Sequence, residues 1–199
     1  LASIKLNLQT LAKHDLDEDK NLSVINIAIE DAERLRRLVD NILLATKIES
    51  GNFPINKEDI NISKVLKEVV QVFERTYGNP KENIYRRIEM DIIEDERMLG
   101  DEEALRSVFS NLIENAIKYS NMGALVQIKL MRQENKLLCK VIDEGVGIQD
   151  EYIEKVFDKF YRIEEEVTRE TKGTGLGLFI VKYFVGALGG QLIVKSNIP

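Results

Sequence analysis

Three polar side chains at helical spacing open a chemical reading of this chain: Asn111, Asn115 and Lys118, in the stretch NLIENAIKYS. Spacings of four and three place them on one helix face. An amide oxygen is a hard ligand suited to Mg²⁺, which prefers oxygen donors and keeps waters and substrate phosphates around it. A lysine one turn on meets phosphate charge, and Tyr119 follows it. A second stretch, DEGVGI, sets Asp143 at the end of an apolar run, ahead of Gly145, Gly147 and Ile148. A carboxylate there accepts from an exocyclic amine, which selects adenine over guanine. The glycines let the backbone turn tightly and a base approach. A third stretch, GTGLGL, comprises Gly173, Thr174, Gly175, Leu176, Gly177 and Leu178 and precedes an apolar helical run. Helix N-termini offer unpaired N–H groups and a positive dipole end to anions. A fourth, FDKFYR, ends in Arg162, a side chain able to reach a terminal phosphate.

Each stretch alone has an ordinary reading: a polar helix face, a strand-to-loop turn, loop punctuation, or aromatics (Phe157, Phe160, Tyr161) pinning a loop to the core. Four in this order and spacing describe a pocket for a nucleoside triphosphate and its metal ion. The glycine-rich stretch does not follow a strand and lacks a Gly-Lys-Ser/Thr ending, which disfavours both the dinucleotide-binding fingerprint and the P-loop.

The elements that must position these residues are legible from periodicity. Leu1, Ile4, Leu8 and Leu11 mark a helix face. A polar connection, His14 to Asn21, leads to a helix from about Leu22 to Glu49. Ile25, Ala28, Ala32, Leu35, Val39 and Ile42 form a heptad seam on it, and Gly51 ends it. Two helices cannot bury two apolar seams alone, so a homodimer completing four helices is expected. Beyond lie a short strand near Pro54 to Ile62 and a helix capped by Ser63. A strand over 84–93 and a helix capped by Asp101 and running to Tyr119 come after it. Two strands, about 124–131 and 136–142, come next, then a short helix over 150–157. A charged stretch leads to a helix over 175–188 and a final strand over 191–195. The class is α+β, a sheet with helices on one face. The expected domains are 1–51, helical, and 52–199, nucleotide-binding.

Composition narrows the classes further. With 44% hydrophobic and 31% charged residues the chain reads as globular, and a net charge of −6 argues against nucleic acid as a partner. The single cysteine, Cys139, cannot form an internal disulfide, which fits a reducing, cytoplasmic setting. No run of about eighteen apolar residues is present, so no membrane contact is expected from these residues.

The four stretches resemble the N, G1, F and G2 boxes of sensor histidine kinases from two-component signalling. The preceding helices look like that family's dimerisation and phosphotransfer domain. The resemblance implies a helical hairpin forming a dimeric four-helix bundle, followed by a Bergerat-type α/β sandwich ATPase domain. It implies ATP and Mg²⁺ as cofactors. Asn115 becomes the metal ligand with Asn111 close by, Lys118 and Tyr119 contact phosphate and nucleotide, and Asp143 binds the adenine amine. The segment between Ile148 and Gly173 becomes the ATP lid. The implied partners are a second copy and the receiver domain of a response regulator. In that family the phosphoacceptor histidine sits in a box resembling His-Glu-x-x-Thr-Pro-Leu. The opening LASIK looks like the leucine that ends such a box, which places the acceptor upstream of Leu1 and leaves no catalytic residue in these 199. The resemblance is compatible with a parent protein anchored in the inner membrane. His14, the only histidine, lacks the box around it and reads as a loop residue. Two other readings compete: an ATP hydrolase of the same superfamily, and a dimer that binds nucleotide without kinase activity. The hydrolases carry a glutamate four residues before the metal asparagine. Here that position is Asn111, and an amide is not a general base.

Overall fold

The computed structural model describes residues 2–13, 17–51, 53–77, 87–163 and 173–196. The chain divides into two compact units, Leu1–Asn52 and Phe53–Pro199.

In the first unit, α1 (Ala2–Lys13) and α2 (Glu18–Glu49) pack on one another. Asp17 caps α2 by accepting from the Lys20 N–H at 2.9 Å, so the helix starts a turn earlier than its first apolar residue. The acidic residues there suit a helix N-terminus. At the other end Gly51 takes φ +67° and donates its N–H to the Ile48 carbonyl at 3.1 Å, the left-handed stop expected of glycine. Of the expected seam, Ala28 is buried and Leu35 half-buried, while Ile25, Ala32, Val39 and Ile42 are exposed in the single chain. Leu22, Ile29 and Leu43 are exposed as well.

In the second unit, β1 (Glu58–Asn61) runs directly into α3 (Ile62–Tyr77). The cap is Asn61, whose Oδ1 accepts from the Lys64 N–H at 2.8 Å. Ser63, expected as the cap, is instead buried within the helix. Its hydroxyl donates to the Ile93 carbonyl at 2.6 Å and accepts from the Glu96 N–H at 3.0 Å. The strand ends one residue before the helix begins, which moves the cap two positions back. Next come β2 (Arg87–Ile92), β3 (Arg97–Gly100), α4 (Glu102–Tyr119), β4 (Leu125–Gln133) and β5 (Lys136–Ile142). Two 3-10 turns, Asp150–Tyr152 and Lys155–Phe157, stand where one short helix was expected, and α5 spans Gly177–Ala187.

β1 pairs antiparallel with β3, with Ile60 opposite Met98. The three-stranded sheet has the order β2-β4-β5: β2 runs parallel to β4 and β5 antiparallel to it. Strand β3 was not expected; four residues with one inward apolar side chain carry too little alternation to be read. Val126, Ile128 and Leu130 of β4 are buried every second residue, which fixes the register because a one-residue slip would expose all three. They meet a helical layer in which Leu66, Val70, Ile113, Ile180, Val181 and Phe184 are fully buried. Each large apolar side chain removed from water contributes about 1.5–3 kcal/mol. Phe53 closes one end of this core edge-on to Phe184, with ring centroids 5.1 Å apart. Cys139 faces the same layer from β5, opposite Leu130, and burial pushes its thiol up to about 12. Arg106 of α4 joins Glu68 of α3, and that hydrogen bond holds the Glu68 carboxyl below its usual range.

The expected final strand is not formed. Leu192, Val194 and Ser196 are half-buried and alternate with exposed Gln191, Ile193 and Lys195, but residues 191–196 join no ladder. Alternation specifies a half-buried extended segment; pairing needs a neighbour's backbone as well. Among the described residues no helix is long and apolar enough to cross a membrane.

Candidate functional site

Helix α4 positions the first group of candidate residues. Asp101 caps it with one carboxylate oxygen, accepting from the Ala104 N–H at 2.9 Å. The other oxygen accepts from the Asn56 N–H at 2.8 Å. One buried side chain therefore starts the helix and anchors the chain leading into the unit. Leu105, Val108, Ile113, Ala116 and Ile117 turn inward. The opposite edge of that face carries Asn111, Asn115 and Lys118, all half-buried.

Their surroundings are specific. Asn111 donates from Nδ2 to the Ser107 carbonyl at 2.8 Å, which leaves Oδ1 facing the start of α5. A Cβ on Gly177 would come within 2.7 Å of that oxygen, so the first turn of α5 reaches the asparagine only because Gly177 has no side chain. Lys118 places its ammonium 4.7 Å from the Tyr119 ring centroid and 3.3 Å from the Tyr119 hydroxyl. A Cβ on Gly173 would run into that ammonium. The two helices thus bring the asparagine-lysine face and the glycine-rich stretch together. Thr174 holds the turn between them, its Oγ1 accepting from the Leu176 N–H at 3.2 Å. Leu176 is fully buried and Leu178 half-buried.

The DEGVGI turn lies against the C-terminal end of the same helix. Gly145 bridges to Ser120, and the Val146 N–H donates to the Tyr119 carbonyl at 3.2 Å. Asp143 is exposed, with Oδ1 accepting from the Gly145 N–H at 2.9 Å. Its second oxygen takes no part in that bond. A Cβ on Gly145 would approach the Tyr119 carbonyl and Asp143 Oδ1, both at 2.7 Å. Gly147 has φ +75°, and the Ile148 N–H donates to Ser196 Oγ at 2.7 Å. Glu144 accepts from the Leu125 N–H at 3.0 Å, tying the turn to the first residue of β4.

The aromatic stretch closes onto the glycines. Phe160 donates its N–H to the Gly175 carbonyl at 3.0 Å. Gly175, at φ +69°, would carry a Cβ within 2.7 Å of the Phe160 carbonyl carbon. Phe160 itself takes φ +64°, with an exposed ring. The backbone of this stretch is therefore clasped to the glycines, an anchoring that needs no packed phenyl ring. Arg162 is exposed and has interactions within the structure. His14 and most of the charged stretch, residues 164–172, lie outside the described residues.

Among the described residues, no group of three or more His, Cys, Asp or Glu side chains could hold a metal ion. Asn115 offers an amide oxygen, a donor type that suits Mg²⁺ alongside phosphate oxygens and water. Sequence reading missed Ser107, Glu144 and Ser196. Ser107 sits one turn before Asn111 and was findable at that spacing; the partners of the other two are 19 and 48 residues away.

Residues 100–198 match the family described as histidine kinase-, DNA gyrase B-, and HSP90-like ATPase. The sensor protein KdpD of Clostridium acetobutylicum is 32% identical over 212 residues, covering 100% of this chain and 23% of that protein. The sensor histidine kinase WalK of Bacillus subtilis is 34% identical over 200 residues, covering 98% of this chain and 32% of the relative. The chain thus spans about a quarter to a third of the length of these curated relatives. Among solved structures, the Acinetobacter baumannii histidine kinase AdeS is similar with a TM-score of 0.68 at 24% identity. It covers 94% of this chain and 83% of that one. The histidine kinase ThkA, solved in complex with the response regulator protein TrrA, gives 0.65 at 22% identity, covering 94% and 50%. Residues 100–198 thus carry the ATPase domain that this chain shares with sensor histidine kinases of two-component signalling.

Proposed function

We propose that this chain binds ATP with Mg²⁺ in the cleft between α4, the DEGVGI turn and the N-terminus of α5. Within a longer protein it serves histidine phosphorylation and relay to a response regulator's receiver domain. Asp143 accepts from the adenine amine beside Gly145, Gly147 and Ile148. Asn115 holds the metal ion. Asn111, Lys118, Tyr119 and Arg162 surround the phosphates, which lie against Gly173, Thr174, Gly175, Leu176, Gly177 and Leu178. Bound Mg²⁺ supplies charge neutralisation between phosphate oxygens. The relation to KdpD, WalK and ThkA supports the assignment.

Asn111 carries the choice between transfer and hydrolysis. Its amide is committed to Ser107 on one side and faces Gly177 on the other, and an amide cannot take a proton from water. A positioned general base is worth roughly 10²- to 10⁴-fold, so steady hydrolysis should be slow. Two readouts test the function. Calorimetry should show Mg·ATP binding with ATP preferred over GTP. Incubation with γ-labelled ATP should show little phosphate release and no acid-labile label, because His14, the only histidine in these residues, lacks the surroundings of a phosphoacceptor box. Rapid, Asn111-independent phosphate release would point to the hydrolase reading.

The first unit we assign to dimerisation, as half of a four-helix bundle. Leu22, Ile25, Ile29, Val39 and Leu43 recur three and four apart, or at multiples of seven, and are exposed in the single chain. Such a stripe is stabilised by a partner helix. Light scattering at high micromolar concentration should report twice the chain mass; a monomer there counts against the assignment.

A further inference from the structure

The DEGVGI turn has a second anchor outside its own neighbourhood. Its first half is held from α4, through the Ser120–Gly145 bridge and the Val146-to-Tyr119 hydrogen bond. Its second half begins at Gly147, whose φ of +75° reverses the chain. The next peptide N–H, that of Ile148, donates to Ser196 Oγ at 2.7 Å. Both residues are half-buried, so the N–H has a protein partner where access to water is reduced. Ser196 lies on the half-buried side of the extended segment 191–196, in line with Leu192 and Val194. The serine hydroxyl joins that side of the segment to the turn.

We infer that Ser196 is a positioning residue for nucleotide binding, acting through the Ile148 N–H to hold the turn that lines the adenine side of the cleft. The inference rests on the nucleotide reading of the site. Ser196 touches no part of the nucleotide; its hydroxyl fixes the peptide after Gly147, and so the opening between that turn and Asp143. Without an acceptor the peptide is free to rotate about Gly147, and the site must order it each time a base enters.

The test uses the 199-residue chain with ATP and adenosine as probes in calorimetry. Ser196→Ala should weaken both by roughly 3- to 10-fold, the range for losing one neutral hydrogen bond. Ser196→Thr, which keeps the hydroxyl, should stay within about twofold of the unaltered chain. In ¹⁵N spectra the Ile148 amide should exchange slowly in the unaltered chain and in Ser196→Thr, and faster in Ser196→Ala. A generally looser fold would weaken Ser196→Thr too, so rescue by threonine separates positioning from bulk. Equal affinity of the unaltered chain and Ser196→Ala would overturn the inference and leave the site assignment standing. No ATP binding by the unaltered chain would overturn the site assignment and this inference with it. If Ser196→Ala does not fold, an Ile148 amide in the unaltered chain that exchanges like an open peptide overturns the inference. A protected amide, with ATP affinity retained in Ser196→Thr, supports it.

Discussion

Replacing Asp143 by asparagine should weaken ATP binding roughly 10- to 100-fold, the range for a hydrogen bond to a charged group. It should also move the base preference toward guanine. The reason lies in the Gly145 N–H, which donates to Asp143 Oδ1 at 2.9 Å. That bond demands an acceptor, so an asparagine must spend its carbonyl oxygen on Gly145. Its NH₂ group then takes the place of the carboxylate oxygen assigned to the base. A donor there opposes the adenine amine and suits the O6 acceptor of guanine. Competition calorimetry with ATP and GTP on both chains measures the switch. A variant that loses affinity for both nucleotides equally would mean that Asp143 only shapes the turn. Unchanged ATP affinity would remove Asp143 from the site.

The second large effect is expected at Gly175. Two costs coincide there. Its φ of +69° is unfavourable for any side chain, by about 1–2 kcal/mol. A Cβ would also press on Phe160 and on the Tyr161 carbonyl at 2.7–2.8 Å, and backbone yields less readily than a side-chain tip. Gly175→Ala should therefore cost about 2–4 kcal/mol, lowering the melting temperature by roughly 5–15 °C for a domain of this size. Gly123 supplies the control. It has φ +77° but open space, with nothing within 4 Å of where a Cβ would stand, so Gly123→Ala carries the strain alone. Equal melting temperatures for the two variants would show that the clasp between Phe160 and Gly175 contributes nothing.

The parts of the fold that could be read in advance are those set by local signals. Asp101 followed by inward residues three and four apart set the limits of α4, Glu102–Tyr119, and the glycine-rich turns announced themselves by residue type. What escaped depends on neighbours far along the chain. Ser63 looks like a cap because serine at a helix start usually is one; its hydroxyl is taken by Ile93 and Glu96 some thirty residues on. Strand β3 exists because β1 lies beside it. Residues 191–195 had the right alternation for a strand but no ladder. The residues proposed for the site, Asn111, Asn115, Lys118 and Asp143, stand out by type and spacing, whereas Ser107, Glu144 and Ser196 are found only through the groups they hold in place.

The bond from the Phe160 N–H to the Gly175 carbonyl also pins together two points well separated along the chain. A segment whose two ends are pinned together forms a closed loop, and the entropy of closing such a loop grows only with the logarithm of its length. For flexible loops in general a doubling in length costs only about 0.6 kcal/mol, whereas a change of length at Phe160 or Gly175 themselves would break turns fixed by backbone contact.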